Sequence, residues 1–127
     1  MAKETHKTTT KHFNIFKEEC LKWIEIFHLT RWEINFFHEE SDDSLAAIKC
    51  NFSAKAIDII FNKTWNWTKP PDEHEIKKCG FHEACEVLLY PLRYLGECRF
   101  LSESEIDPAT HEIIHILENV VWENLVD

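Results

Sequence analysis

Glycine is scarce in this chain of 127 residues, which contains only Gly80 and Gly96. Loops that cradle nucleotide phosphates need several closely spaced glycines, because the backbone must approach the phosphate. Neither glycine stands in such a fingerprint. We therefore do not expect a fold that binds nucleotides through a glycine-rich loop.

Long apolar runs and paired cysteine motifs are also missing. No run approaches the roughly 18 apolar residues that a membrane span requires. The N-terminal sequence MAKETHKTTTKH has no apolar core of a secretory signal, and the five cysteines form no CxxC pair. We expect a soluble, cytoplasmic protein with reduced cysteines and no membrane partner.

Positive charge is scarce in the second half of the chain. The formal net charge is -9, and residues 72–127 hold four basic residues against thirteen acidic ones. Such a surface repels phosphates, so we do not expect nucleic acid as a partner. The acids either cover the solvated faces of two helices or create a field suited to cations.

Apolar residues are plentiful: 44% of the chain is hydrophobic and 13% is aromatic. This much apolar surface can offset the entropy lost on folding, and the length suits one core. We expect a single domain over residues 13–127. The polar residues 1–12 show no periodicity and are expected to form a flexible arm.

The periodicity of apolar residues predicts an α+β fold. From Phe13 to Phe27 they recur every three or four positions, which indicates a helix. Alternation then predicts strands over 32–36, 46–52 and 57–61, which short turns would join into a three-stranded antiparallel meander. Two C-terminal helices follow.

The ends of these two helices have recognisable signals. Asp72 and Glu75 have the spacing of a capping box, and Pro91 is expected to end or kink the second helix near Tyr90. The third helix could start at Ser102 or at Asp107, and it is expected to end near residue 125.

Each C-terminal helix carries a sequence motif of the kind found in metal sites. His82 to Glu86 reads HExxE, and His111 to His115 reads HExxH. On a helix, side chains at i and i+4 project from one face about 6 Å apart, so two of them can hold one ion. The intervening glutamate can then activate a water molecule.

The surroundings of the two motifs differ. The segment around His82 is apolar on most sides, which is typical of a central helix. The third helix is more amphipathic, and its expected packing stripe consists of Ile113, Ile116, Leu117 and Val120. We therefore expect the second helix to carry the main motif and the third helix to supply a further ligand.

The segments HEACEVLLYPL (82–92) and HEIIHILEN (111–119) resemble motifs of the small zinc metallopeptidases encoded by bacteriophages and prophages, a minimal zincin similar to SprT-like domains. The resemblance implies a metal-dependent hydrolase that cleaves peptides or proteins in the host cytoplasm. It implies zinc or another divalent metal held by His82, Glu86 and His111, with Glu83 as the general base.

Glu86 departs from the family, which has a histidine at this position. A carboxylate keeps a ligand for the metal but lowers its Lewis acidity, so a metal-binding relative without activity is one alternative. A small acidic viral interaction protein that inhibits a host factor is another.

Other residues near the motifs have plainer interpretations. We expect Cys79 to be a small buried apolar residue and His115 to be a surface histidine, although either could join the site. The strand over residues 57–61 is expected to be an edge strand that holds an extended substrate. The sequence leaves the oligomeric state open.

Overall fold

The computed structural model describes residues 6–41, 44–66, 69–98 and 102–125. It confirms the α+β class and the expected order of one helix, a three-stranded sheet and two C-terminal helices. In these ranges no helix has both the length and the apolar content needed to cross a bilayer.

The N-terminal segment is more ordered than the predicted flexible arm. Strand β1 (His6–Lys7) pairs in antiparallel fashion with β5 (Thr64–Trp65), and helix α1 (Thr10–Ile26) starts before Phe13. Thr9 caps this helix: its hydroxyl accepts from the backbone N–H of His12, whose ring accepts from the backbone N–H of Thr9. Because Thr9 and His12 are polar, they add nothing to the apolar periodicity from which the start of the helix was predicted. The helix therefore starts earlier than the sequence pattern indicates. Residues 1–5 of the predicted arm lie outside the described residues.

The sheet is mixed and is not the antiparallel meander predicted from the sequence. It contains β2 (Glu33–Glu39), β3 (Ala46–Asn51) and β4 (Ala56–Asn62) in the order β2-β4-β3. β4 is antiparallel to β3 and parallel to β2, with Phe36 opposite Ile59. Alternation of apolar residues predicts which face of a strand is buried but not which strand lies beside it, so the order could not be read from the pattern.

Helix α2 (Glu73–Glu97) is longer than predicted, because it continues through Pro91. Asp72 caps its start by accepting from the backbone N–H of Glu75. Beyond the proline, Tyr94 stacks on Phe52 with ring centroids 4.0 Å apart, and Arg93 pairs with Glu97. We attribute the continuation to these contacts, which offset the backbone hydrogen bond that a proline removes.

Helices α1 and α2 pack closely, and the core lies between them and the sheet. A methyl group added at Gly80 would lie 2.9 Å from the carbonyl oxygen of Phe16. Phe16 stacks on Phe61 of the central strand at 4.6 Å. The core consists of the buried residues Phe16, Cys20, Ile24, Phe27, Leu29, Trp32, Ile57, Ile59, Phe61, Trp65, Ile76, Ala84, Val87 and Leu88.

The third helix, α3 (Glu103–Leu117), starts after Ser102, the first of the two predicted positions. A π-helical turn (Glu118–Trp122) and a final turn, α4 (Glu123–Leu125), follow it. Ile113, Ile116 and Val120 pack against the core, but Leu117 of the predicted packing stripe is 43% exposed. No residue of α3 is fully buried. The helix therefore lies on the surface of the domain.

Candidate metal centre

One face of α2 brings together His82, Glu83 and Glu86. One ligand atom from each residue lies within 4.8 Å of the others. The His82 Nε2 and Glu86 Oε1 atoms are 3.6 Å apart. Two donors on a tetrahedral zinc ion, each about 2.1 Å from the metal, lie about 3.4 Å from each other. The helix alone therefore sets two donors close to the separation that one ion requires.

Glu83 is the buried member of this group. Its residue is 3% exposed, and within the described residues its Oε2 atom makes no hydrogen bond. Burial raises the pKa of Glu83 to about 8, and the charge of Glu86 and a hydrogen bond with it add to the increase. A buried carboxyl oxygen without a hydrogen-bond partner is costly. A proton, a hydrogen-bond donor or a cation at this oxygen of Glu83 would therefore stabilise the folded protein.

His82 and Glu83 line an open cleft of about 390 Å³ between α2 and the start of β3. Its walls are formed by Ser44, Leu45, Ala46, Asn66, Glu75, Lys78, Cys79, His82 and Glu83. Among the described residues, β3 pairs only with β4 in the three-stranded sheet, so its other edge has no strand partner in that part of the chain. The prediction of an edge strand over 57–61 was wrong, because β4 lies at the centre of the sheet and pairs on both sides.

Two cysteines, Cys79 and Cys20, have pKa values raised well above the ordinary value. Burial raises the pKa of Cys79 to about 11 and that of Cys20 to about 12, and in both cases the charge of Glu83 adds to the increase. Because the thiolate is the metal ligand, these thiols are poor donors. Cys79 lines the cleft as a half-buried residue.

His111 lies outside the group formed by His82, Glu83 and Glu86. It lines a separate groove with Phe27 and His28 at the end of α1, and its Nδ1 atom is 2.9 Å from the Asp107 carbonyl oxygen. α3 packs on α2 near Leu88 and Pro91, which are about 120° and 180° around the helix axis from His82. The body of α2 therefore separates the two motifs.

His115 shares the groove of His111. It is exposed, and its Nδ1 atom is 3.1 Å from the Glu118 carboxylate. Nearby, Arg31 forms an ion pair with Glu112 that links α3 to the segment after α1. The HExxH motif thus forms polar contacts on the surface of α3 and is not among the residues that line the cleft.

The sequence interpretation missed several residues of the cleft. Glu75 and Lys78 precede His82 by seven and four positions, so helical spacing alone could have placed them on its face. Ser44, Leu45 and Ala46 could not be found in this way. They reach the cleft because β4 lies between β2 and β3 in the sheet. This strand order is a feature of the tertiary structure, and the sequence pattern does not indicate it.

The group offers one imidazole and two carboxylates. This donor set suits zinc and other divalent cations, and Glu83 adds a proton acceptor beside the other two residues. Comparisons of the chain with protein-family models, with curated proteins and with solved structures found no match. The resemblance to phage metallopeptidases therefore stays a prediction.

Proposed function

We propose that the chain is a metal-dependent hydrolase of the peptidase type, with its active site in the cleft beside α2. His82 and Glu86 hold the metal, and Glu83 is the general base. The convergence of these three side chains, one of them buried with an unpartnered oxygen, is the observation that carries the proposal.

The fit to a metal comes from the donors themselves. His82 offers Nε2 and Glu86 offers Oε1 from adjacent turns of one helix, while Glu83 Oε2 points to no donor in the described residues. When bound, zinc or another divalent metal supplies Lewis acidity that polarises a carbonyl group and lowers the pKa of water.

Glu83 is suited to proton transfer. A general base works best when its pKa is close to the operating pH, and burial brings the pKa of Glu83 to about 8. The pKa of Glu83 would fall with a cation held by His82 and Glu86, because its carboxylate would then be stabilised. Glu83 then takes a proton from water at Oε2 and can return it to a leaving amine.

The edge of β3 supports a peptide as the substrate. An extended chain can add to an unpaired strand edge through backbone hydrogen bonds, and β3 presents such an edge beside the cleft. Ser44, Leu45 and Ala46 are small or apolar, so they leave room for the backbone of a substrate.

The proposal includes a reducing compartment, the cytoplasm of the cell or of an infected host. All five cysteines are free thiols, and Cys20 is buried in the core. Free thiols persist in the cytosol, whereas secreted proteins tend to form disulfides.

Two variants should distinguish the residue that binds the metal from the residue that transfers the proton. His82→Ala removes a metal donor, so we expect loss of zinc binding by isothermal titration calorimetry and loss of cleavage of an unfolded protein substrate. Glu83→Gln keeps an oxygen near the metal but cannot accept the proton, so we expect it to retain zinc and to lose hydrolysis by about 100-fold or more.

The matched control is His74→Ala, an exposed histidine two turns earlier on α2. It should bind zinc like the wild type. Zinc binding that survives His82→Ala would overturn the metal site, and full hydrolysis by Glu83→Gln would overturn the role of Glu83.

A metal-binding protein without hydrolase activity is the second candidate. The position of His111 outside the group favours it, because many catalytic zinc sites have three protein ligands besides water. Zinc binding that depends on His82 together with no cleavage of any peptide in a diverse peptide library would support this candidate.

A further inference from the structure

The C-terminal helical segment, residues 103–125, exposes a stripe of apolar side chains. Ile106, Ile114, Leu117 and Val121 are 39%, 42%, 43% and 47% exposed. Their spacings of eight, three and four residues place them along one side of a helix. We call these four residues the outer stripe.

The outer stripe is additional to the contacts that hold the helix to the domain. The inner contacts come from Ile113, Ile116 and Val120, which pack against the core. None of the outer residues contributes to the buried core, although all four are large and apolar. Contiguous exposed apolar surface of this kind marks an interaction site more often than scattered residues do.

The π-helical turn extends this surface. The Glu123 backbone N–H donates to the Glu118 carbonyl oxygen five residues earlier, so this turn contains one residue more than an α-helical turn. The extra residue rotates Trp122 back toward the outer stripe, by up to about 100°. Trp122 is 62% exposed, and tryptophan is enriched in binding hot spots.

The C-terminal helical segment is strongly acidic. Residues 103–125 contain six acidic residues and no lysine or arginine. Glu118, beside the stripe, is 59% exposed. A second copy of the chain would bring the same acids together, and an anionic membrane would repel them.

We infer that the outer stripe and Trp122 dock a basic amphipathic helix of a partner protein. The apolar face of such a helix covers the stripe, and its lysines and arginines pair with the acids at the rim. The surface lies on α3 and the turns after it, whereas the cleft lies on α2. Docking therefore needs no metal and goes beyond the proposed hydrolase activity.

The probe is a synthetic 18-residue helical peptide with leucine on one face and lysine at the other positions. We expect it to bind the full chain in EDTA, with an affinity that falls as salt concentration rises. A twin peptide with glutamate in place of lysine should bind at least tenfold more weakly, because its charge has the same sign as the surface.

Variants locate the binding surface. Leu117→Ser should weaken binding of the lysine peptide about tenfold, since it removes an apolar anchor. Leu21→Ser is the control: Leu21 is similarly exposed, at 41%, but lies on α1. It should change the affinity less than twofold. Glu118→Lys, a surface charge reversal that keeps the apolar stripe, should weaken binding about threefold or more.

Three results would overturn the inference. One is equal loss of affinity in Leu21→Ser and Leu117→Ser, and another is unchanged binding by Glu118→Lys. The third is a concentration-dependent dimer in sedimentation velocity that disappears in Leu117→Ser, because a second copy would then cover the stripe.

Discussion

At the scale of single residues, Glu83 sets how the cleft responds to pH. The folded protein holds this carboxyl group in a buried position, and burial raises its pKa from 4.5 to about 8. Between these two values the folded state keeps the proton and the unfolded state has lost it. The contribution of Glu83 to stability is therefore fully present below pH 4.5 and is lost as the pH rises to about 8.

Glu83→Gln removes this dependence on pH. In buffer with EDTA, we expect the variant to gain stability over the wild type as the pH increases from 5 to 8, by up to about tenfold in the unfolding equilibrium constant per pH unit. Urea denaturation at several pH values measures the difference. Glu25→Gln, on the surface of α1, controls for the loss of one negative charge. If the free energy of unfolding of Glu83→Gln differed from that of the wild type by the same amount at every pH from 5 to 8, the raised pKa of Glu83 would be contradicted.

The two glycines allow a matched test of helix packing. A methyl group at Gly80 meets the Phe16 carbonyl oxygen and the backbone nitrogen of Cys20, whereas one at Gly96 meets nothing within 4 Å. Gly80→Ala should lower the free energy of unfolding by about 1–2 kcal/mol, because overpacking outweighs the gain in helix propensity. Gly96→Ala should raise it by about 0.5–1 kcal/mol. Equal effects in chemical denaturation would contradict the close approach of α1 and α2.

Part of the candidate site could be predicted at this scale. His82, Glu83 and Glu86 are on one helix, so their spacing in the sequence already sets their separation. His111 is different, because its distance from His82 depends on how α3 packs against α2. The burial of Glu83 also depends on neighbouring elements, and the motif alone does not indicate it.

At the scale of elements, the end of α1 contains a strained residue. His28 has a φ of 56°, in the left-handed region that glycine adopts most easily. Its backbone N–H donates to the Glu25 carbonyl oxygen, and that of Leu29 donates to the Ile24 carbonyl oxygen. These two hydrogen bonds form a Schellman motif, which favours glycine at the position of His28.

His28→Gly should therefore stabilise the fold by about 0.5–1 kcal/mol. Thermal denaturation measures this as an increase in Tm of a few degrees. Thr30→Gly is the control in the same loop, since its φ is not positive. It should leave Tm unchanged or lower it. A lower Tm for His28→Gly would show that the imidazole contributes more than the strain costs.

The sequence predicted the elements better than their ends and partners. Apolar periodicity located α1, α2, α3 and the strands of the sheet. It did not predict that α2 continues past Pro91, where Tyr94 finds an aromatic partner on the loop after β3. It also did not predict the strand order, because every strand that alternates has the same pattern whichever strand it pairs with.

At the scale of the whole molecule, the mixed sheet creates the cleft. With β4 in the centre, β3 becomes the edge that faces α2, and the group proposed to bind a metal lies beside it. Part of the strong negative charge of residues 72–127 lies on one face of α2, where Glu83 and Glu86 converge, and six more acidic residues lie in the helical segment 103–125.

The central claim is that His82 and Glu86 hold a metal. Anomalous diffraction at the zinc absorption edge, from crystals grown with zinc, tests it most directly. We expect a peak about 2.0–2.2 Å from His82 Nε2 and from a Glu86 carboxylate oxygen. A peak only at His111 or His115, or no peak in the cleft beside α2, would contradict the claim.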